Sequence, residues 1–195
     1  MGNREDLLAS AKRCLQEKGY GRTTARDIAS GAGVSLAAIG YHYGSKDALL
    51  IQALVQAMGE WGEAVDAALA GAAEVADPRE RFVRVWDAVR DSFETHRGLW
   101  TVQFEIVGRL DHLPELREQL AGAQKLGRLG LAAMFQGRPE HIDTPEELAR
   151  GVFYQSLLLG QATAWLIDPD QTPTGREYLD GLALVSADLL GVPAT

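Results

Sequence analysis

The four histidines are the side chains of this sequence best suited to acid–base or metal chemistry, and their spacing supports neither use. They are His42, His96, His112 and His141, and none forms the spaced pair of a helical zinc motif. Asp111 and His112, with Glu105, offer acid–base groups, but they lie at a proline-bounded helix end where solvated or capping roles are commoner. The sequence also lacks a glycine-rich phosphate loop and a nucleophile elbow. It therefore predicts no enzyme, no metal and no cofactor.

Residues 23–50 have a different pattern, which is typical of a DNA-reading unit. Two short helices, at about 25–32 and 36–43, are joined by a turn in which Gly33 suits a left-handed conformation. In a helix-turn-helix the second helix lies in the major groove and the first crosses the phosphate backbone. The helix at about 36–43 is therefore predicted to read the bases.

Capping residues mark the starts of these helices. Thr24 and Asp27 have the spacing of a capping box for the first helix. Ser35 is placed to cap the second helix, and Ser45 is placed to cap a third that begins at Lys46. Because no break or linker follows Lys46, the helix that begins there is predicted to connect the N-terminal residues rigidly to the rest of the chain.

An ordered series of residues over roughly 45 positions extends this pattern. It consists of Leu7, Leu8, Ala11, Leu15, Lys18, Gly19, Tyr20, Thr23, Thr24, Ile28, Ala29, Ala32, Gly33, Val34, Ser35, Ile39, Tyr41, His42, Tyr43, Lys46 and Leu49. The series resembles the N-terminal domain of the TetR family of transcriptional regulators. No comparable motif follows Val55, so the resemblance covers the first quarter of the chain.

The rest of the chain reads as helix, because glycine- and proline-marked breaks separate segments with no sustained two-residue alternation. We predict an all-α fold of about nine helices, at 3–18, 25–32, 36–43, 46–70, 78–95, 98–109, 114–135, 145–167 and 174–190. The resemblance implies a three-helix helix-turn-helix DNA-binding head over residues 1–50. It also implies a larger helical body over residues 51–195 for effector binding and dimerisation.

The resemblance carries DNA contacts onto matching positions of the head. These are Thr24, Arg26, Ser35, Leu36, Ala37, Ala38, Gly40, Tyr41, His42 and Lys46. Thr24 and Lys46 are expected to hold phosphates, and Arg26 to reach a base or a phosphate, with a solvated charge as the alternative. Alanine and leucine on the second helix can touch thymine methyl groups but form no bidentate hydrogen bonds. Gly40 departs from the family, whose members often carry a larger residue there, while Tyr43 matches an aromatic that packs in the head.

The resemblance also implies two functions for the body. One is an effector pocket, to which we assign the residues Trp86, Phe93, Trp100, Gln103, Phe104, Tyr154 and Trp165, although aromatic residues at helical spacing are more often plain core. The other is a homodimer interface formed by the helices at about 145–167 and 174–190. Small residues such as Gly151, Ser156 and Gly160 would let a partner helix approach closely, with a core within one protomer as the alternative.

Charge and composition fit a DNA-binding protein of the cytoplasm. The chain has 195 residues and a net charge of -8, but residues 1–50 hold seven Lys/Arg and five Asp/Glu and so carry +2. The acidic remainder would restrict DNA contact to the head. No apolar run is long enough for a membrane span, and the N-terminus lacks a signal-peptide core. Cys14, the single cysteine, is expected to be a small core residue.

The resemblance and the rigid helix from Lys46 together imply a ligand-responsive regulator that binds a palindromic DNA operator as a homodimer. We expect a repressor that a moderately hydrophobic small molecule releases from DNA. Two alternatives remain open at this stage. One is a DNA-binding dimer that senses a protein partner or no ligand, and the other is an activator.

Overall fold

The computed structural model describes residues 2–70, 75, 77–112 and 117–191, and all regular structure in these ranges is helical. The helices are α1 (Asn3–Lys18), α2 (Ala25–Gly31), α3 (Ala37–Tyr43), α4 (Lys46–Ala70), α5 (Pro78–Thr95), α6 (Arg97–Val107), α7 (Arg117–Phe135), α8 (Pro145–Ile167) and α9 (Gly175–Leu190). Single 3₁₀ turns span Leu110–His112 and Pro169–Gln171. The predicted all-α fold is confirmed. None of the helices in the described ranges combines the length and apolar character needed to cross a bilayer.

The predicted helix bounds differ from the observed ones by at most two residues wherever the two can be compared. The start predicted for the seventh helix, at residue 114, lies outside the described residues. Agreement is close because local signals set most of the helix starts. Thr174 and Glu177 form a capping box at α9, and the Thr144 hydroxyl accepts the Glu147 N–H ahead of Pro145 in the first turn of α8.

Packing divides the chain into two compact units. The first comprises residues up to Trp61 together with His96–Gln124, and the second comprises Gly62–Thr95 together with the residues from Lys125 onward. Helix α4 contributes to both units, and α6 belongs to the first because it packs on α1. This division by packing differs from the boundary predicted at residue 50. That boundary concerns function, because it separates the predicted DNA-binding head from the predicted effector-binding body, and it stays a prediction.

The core of the first unit forms where α1 packs against α2, α3 and α6. Leu7, Ala11 and Leu15 recur at helical spacing and are buried. Ser10 shares this face and is also buried. Its hydroxyl donates a hydrogen bond to the Ile28 carbonyl at 2.8 Å, so the buried donor has a partner. Cys14 is buried with a free thiol, as expected for a small core residue. The helix-turn-helix thus rests on α1.

The core of the second unit is aromatic. Phe135 and Tyr154 stack with ring centroids 4.0 Å apart, and the Trp86 ring packs against Phe135 at 5.1 Å and against Tyr178 at 5.2 Å. These contacts join α5, α7, α8 and α9 through large apolar surfaces.

Two glycines let helices of the second unit approach each other at backbone distance. A Cβ added at Gly151 of α8 would lie 2.2 Å from the Arg128 carbonyl oxygen of α7. A Cβ added at Gly175 of α9 would lie 2.2 Å from the Val83 carbonyl oxygen of α5. The Gly175 N–H also donates to the Asp87 carboxylate at 2.8 Å. Gly151 therefore serves packing within the chain rather than the approach of a partner helix.

We expect Gly151→Ala to destabilise the protein by about 1–3 kcal/mol, because the added methyl group must push α7 and α8 apart. Urea denaturation measures the change in the free energy of unfolding. Gly130→Ala is the matched control, since Gly130 is also inside a helix of this unit and its Cβ would meet nothing within 4 Å. The control should be neutral or stabilising by up to about 1 kcal/mol. Equal effects of the two variants would contradict the role given to Gly151.

Candidate nucleic-acid interface

Helix α3 turns one residue into the core and leaves an uncharged face open to solvent. Ile39 is 4 % exposed, whereas Tyr41 is 86 % and Leu36 53 % exposed. Ala37 and Gly40 are also exposed, Ala38 and His42 are half-buried, and a Cβ at Gly40 would meet nothing within 4 Å. The Tyr41 and His42 rings meet edge to face at 4.8 Å. The residues predicted to read DNA therefore lie together on one short helix.

The predicted cap at Ser35 is wrong. Helix α3 begins at Ala37 with Leu36 as its N-cap, and no side chain accepts a hydrogen bond from its first turn. The Ser35 carbonyl instead accepts the Ala38 N–H at 3.1 Å. The first turn is tightened through the backbone because Leu36 already has helical dihedral angles. The Ser35 side chain is exposed and remains a candidate DNA contact.

The predicted capping box of α2 is present, and a lysine completes it. The Thr24 hydroxyl accepts the Asp27 N–H at 3.1 Å, and the Asp27 carboxylate accepts the Thr24 N–H at 2.9 Å. The Lys18 ammonium donates to Asp27 at 2.8 Å. The hydrogen bonds from Lys18 and Thr24 lower the pKa of the Asp27 carboxyl well below its usual range. Thr24 thus acts as a structural cap and remains exposed at the start of the helix that is predicted to cross DNA.

Arg26 differs from the other basic side chains of the head. Among the described residues 2–50, each of the other six Lys/Arg side chains makes a hydrogen bond, ion pair or cation–π contact within the protein. Arg26 is exposed and has no such contact with a described residue. Its guanidinium therefore keeps all of its donors for another molecule.

Lys46 lies at the start of α4, where the Ser45 hydroxyl accepts the Ala48 N–H as predicted. The Lys46 ammonium lies 3.4 Å from the Thr23 carbonyl oxygen, 3.4 Å from the Asp47 carboxylate and 5.3 Å from the centre of the Tyr20 ring. The first two distances exceed those of strong charge-assisted hydrogen bonds. Lys46 is thus held loosely against the protein at the place where the sequence predicts a phosphate.

Tyr43 packs within the head, as the sequence predicts. Its hydroxyl donates to the Arg4 carbonyl at 2.6 Å, and the Arg4 guanidinium lies 5.7 Å from the centre of its ring. Burial raises the pKa of the Tyr43 phenol. Tyr43 therefore ties the end of α3 to the start of α1.

A carboxylate outside the sequence motif holds the segment between α1 and α2. Glu105 of α6 accepts the Tyr20 N–H at 2.9 Å and the Gly21 N–H at 2.8 Å. Arg109 pairs with the same carboxylate at 3.3 Å, and its guanidinium lies 5.6 Å from the centre of the Tyr20 ring. The sequence analysis missed this contact, because more than 80 residues separate its partners and no local spacing signals it. The sequence instead places Glu105 among possible acid–base residues.

The residues predicted to line an effector pocket divide between the two units. Trp100, Gln103 and Phe104 lie on α6, in the first unit, where the Trp100 ring packs edge to face on Trp61 at 5.1 Å. Trp86, Phe93, Tyr154 and Trp165 lie in the second unit, where Phe93 and Trp165 pack at 5.6 Å. Trp86, Phe93 and Trp100 are fully buried. None of the seven residues lines either of the two cavities described, so their pocket role remains a prediction.

Across the described ranges, no three His, Cys, Asp or Glu side chains are grouped so that they could hold a metal ion. An exposed short helix (α3), a capped helix before it and a long helix after it define a helix-turn-helix fold, and all regular structure described in the rest of the chain is helical.

Comparison with known proteins finds relatives of the N-terminal residues. Residues 7–53 match the family described as bacterial regulatory proteins, tetR family. The chain is 32 % identical over 124 residues to the HTH-type transcriptional regulator BetI of Stenotrophomonas maltophilia, a match that spans 63 % of this chain and 62 % of that protein. These matches confirm the resemblance of the N-terminal residues to the TetR family.

Solved structures share the fold along nearly the whole chain. A TetR transcription regulator from Haloarcula marismortui matches with a TM-score of 0.66 and 20 % identity, over 94 % of this chain and 97 % of that one. The multidrug binding protein EbrR, solved with imidazole, matches with a TM-score of 0.63 and 24 % identity, over 98 % and 92 %. These likenesses show that the chain shares the fold of both proteins.

We expect Glu105→Gln to destabilise the first unit by about 1–3 kcal/mol, because an amide side chain turns its NH₂ group toward one of two backbone donors. Hydrogen exchange at the Tyr20 and Gly21 amides should accelerate, and urea denaturation measures the loss. Arg109→Gln is the control, because it removes the exposed ion pair and keeps both amide contacts. Its cost should stay below about 1 kcal/mol. Slow exchange at both amides in Glu105→Gln would refute the role of the carboxylate.

Proposed function

We propose that the protein is a DNA-binding transcriptional regulator of the cytoplasm that acts as a homodimer on a palindromic operator. It represses by occupying the DNA, and a moderately hydrophobic small molecule releases it. The observation that carries the proposal is the exposed face of α3, where an 86 % exposed tyrosine stands on a helix anchored by one buried isoleucine. A protein gains no stability from a tyrosine so exposed, whereas a reading helix needs its side chains outside.

Tyr41 and His42 supply the groove contacts in this proposal. Their edge-to-face packing at 4.8 Å limits the rotamers of both rings before DNA arrives. Leu36 and the two alanines at the start of the helix present methyl groups, which suit contact with thymine methyls. In this proposal the preference for a DNA sequence depends mainly on the fit between this surface and the groove, and few hydrogen bonds to bases contribute. Gly40 leaves a gap in this surface that another residue would fill.

Charge contacts come from the ends of the helices. Arg26, which has no contact of its own with a described residue, reaches a phosphate or a base without giving up another interaction. Lys46 gives up only contacts of 3.4 Å when a phosphate attracts it. Thr24 keeps its capping hydrogen bond with the Asp27 N–H. It lies at the first turn of α2, where the backbone amide groups favour an anion such as a DNA phosphate.

An uncharged stripe on α8 supports the proposed homodimer. Exposed or half-exposed residues recur at intervals of three or four along this helix, at Ala149, Val152, Ser156, Gly160, Thr163 and Ile167. Val152 is 44 % and Ile167 80 % exposed. Exposed leucines on α9, Leu184 and Leu189, add apolar surface in the same unit. An uncharged face of this length is better explained by a partner than by solvent.

The polar residues of this stripe are already satisfied. The Ser156 hydroxyl donates to the Val152 carbonyl at 2.8 Å, and the Thr163 hydroxyl donates to the Leu159 carbonyl at 2.8 Å. A partner helix can therefore cover them without leaving an unpaired donor. Gly160 has no neighbour within 4 Å of its Cβ position, which leaves room for a close helix crossing. A second copy of the chain supplies the matching stripe by symmetry.

Effector binding acts, in our proposal, through the tilt of α4. This helix begins beside the reading helix at Lys46 and contributes residues to both compact units. A tilt changes the distance between the two reading helices of a dimer, which must match successive major grooves. A coupling of about 1–3 kcal/mol would weaken DNA binding roughly 5- to 150-fold.

Support for a small-molecule effector comes from the EbrR structure, because a protein of this fold is described there as multidrug binding. Repression is favoured over activation because it requires only occupancy of the operator. A regulator that senses a protein partner or no ligand is the second candidate, and it would bind DNA with an affinity that small molecules leave unchanged. An activator would instead raise transcription from the operator.

Selection of bound fragments from a random duplex pool tests the proposal. We expect the full chain to enrich a palindrome, because a two-fold dimer reads two inverted half-sites. Tyr41→Ala should weaken binding to that palindrome by about tenfold or more, which corresponds to at least ~1.4 kcal/mol. Its stability should change by less than about 0.5 kcal/mol, because the ring is exposed.

His141→Ala, at an exposed position of the second unit, is the control and should bind DNA like the wild type. Arg26→Gln separates the two roles of Arg26. Loss of a phosphate contact lowers the slope of log affinity against log salt by about 1, whereas loss of a base contact relaxes the preference at one position of the site. If no sequence is enriched at low salt, the proposed function fails.

Sedimentation equilibrium tests the dimer. The wild type should be dimeric, and Gly160→Arg should be monomeric, because the proposed interface would bury an unpaired cation. The fold of each protomer should survive, since nothing lies within 4 Å of the Gly160 Cβ position. Gly122→Arg on α7 is the control at an equally open and exposed helical glycine, and it should remain dimeric. Dimers in all three proteins would place the interface elsewhere.

A further inference from the structure

A cleft of about 510 Å³ opens in the second unit. The end of α4, the first half of α5, the end of α7 and the turn after α7 form its walls. Leu69, Val85 and Met134 give it an apolar side. None of the aromatic residues predicted for the effector pocket lines it. The cleft is therefore a separate candidate site, and its chemistry is set by other side chains.

Three guanidinium groups line this cleft, from Arg81, Arg84 and Arg138. Asp66 is the one acidic side chain among the described residues of its lining, and burial raises the pKa of that carboxyl. Arg84 is paired with Glu80 at 2.5 Å on the exposed side of α5. The remaining two arginines decide which charge the cleft accepts.

Arg81 carries a positive charge that no carboxylate of the described residues neutralises. One of its terminal nitrogens donates to the Gln136 carbonyl at 3.0 Å, and the other donates to the Val75 carbonyl. These contacts fix the guanidinium without cancelling its charge, and they use two of its five donors. Gly137 leaves room for this guanidinium, because a Cβ at residue 137 would lie 2.9 Å from the Arg81 Cζ. Its φ of +63° also favours glycine.

Arg138 is only partly neutralised. It pairs with the Glu147 carboxylate, which also accepts hydrogen bonds from Arg150 and Gln136, each at 2.6 Å. One carboxylate therefore serves two guanidiniums. The Nε of Arg138 is buried and has no hydrogen-bond partner. A buried donor without an acceptor costs free energy, which an acceptor on a bound molecule would recover.

We propose that this cleft binds a small organic carboxylate with an apolar chain or ring. The carboxylate lies with Arg81 and Arg138, where planar guanidinium groups suit its two oxygens. The apolar part lies against Leu69, Val85 and Met134. A monoanion fits better than a phosphate dianion, because Asp66 repels additional negative charge. That this carboxylate is also the effector rests on the proposed function, whereas its binding does not.

Isothermal titration with octanoate, octanol and octyltrimethylammonium tests the ligand class on the full-length protein. The three probes share a chain and differ in charge. Octanoate should bind at least about tenfold more tightly than either of the others, because only its head group brings a negative charge and two acceptor oxygens to the guanidinium groups. Equal affinities for octanoate and octanol, or no binding of octanoate, would overturn the proposal.

Two cleft variants, Arg81→Gln and Asp66→Asn, have opposite expected effects and so exclude simple misfolding. Arg81→Gln should weaken octanoate binding by about tenfold or more. Arg176→Gln, at an exposed position of α9, is the control and should leave octanoate binding unchanged. Asp66→Asn should tighten octanoate binding several-fold, because it removes a like charge from the site. A disrupted fold cannot produce tighter binding. An unchanged affinity in both cleft variants would overturn the proposal.

A DNA-binding measurement tests separately whether octanoate bound in the cleft releases the protein from DNA. Fluorescence anisotropy of the selected DNA palindrome should fall when octanoate is added to the wild type, and the response should be lost in Arg81→Gln. Octanoate binding without DNA release would overturn the effector role and leave the carboxylate site standing. DNA release that survives in Arg81→Gln would also overturn that role, because release would then arise from another site.

Discussion

The Glu105 carboxylate accepts the N–H groups of Tyr20 and Gly21, and this contact fixes the segment through which α1 passes into the helix-turn-helix. A Cβ at position 21 would lie 2.8 Å from the same carboxylate, so the glycine and the glutamate are matched. A Cβ at Gly98 of α6 would lie 3.2 Å from the Gln16 carbonyl oxygen of α1. The first unit is thus built from the reading helices and from α6, which lies far along the sequence. The angle at which α1 meets α2 therefore depends on a residue outside the DNA-binding motif.

Small residues play two different parts in the second unit. Gly151 and Gly175 admit backbone from α7 and α5, and these approaches leave no room for a side chain. Ser156 and Gly160, on the same helix as Gly151, point away from that contact and are exposed. Helix α8 therefore has one close-packed side within the protomer and one uncharged side without a neighbour. The proposed homodimer would bury this uncharged side.

The sequence predicted the helices well because their starts are set locally. Thr24, Ser45 and Thr144 each accept a backbone N–H three residues on, which is a short-range pattern. The family motif likewise predicted the exposed face of α3. What the sequence could not predict depends on distant partners. Glu105 and Arg81 owe their roles to backbone groups that only the fold brings near, and the cap expected at Ser35 failed because Leu36 had already turned helical.

The distribution of charge in the head has a consequence for how DNA binding is controlled. Its cations are mostly engaged within the protein, so in the proposed function Arg26 and a loosely held Lys46 supply much of the attraction to phosphate. Few phosphate contacts per protomer give modest affinity for a single head. In the proposed homodimer, useful affinity then requires both heads to bind DNA at once, because linked binding raises effective concentration only when the geometry fits. A small change in the separation of the heads would therefore remove most of the affinity, which makes such a protein well suited to control by a ligand bound far from the DNA.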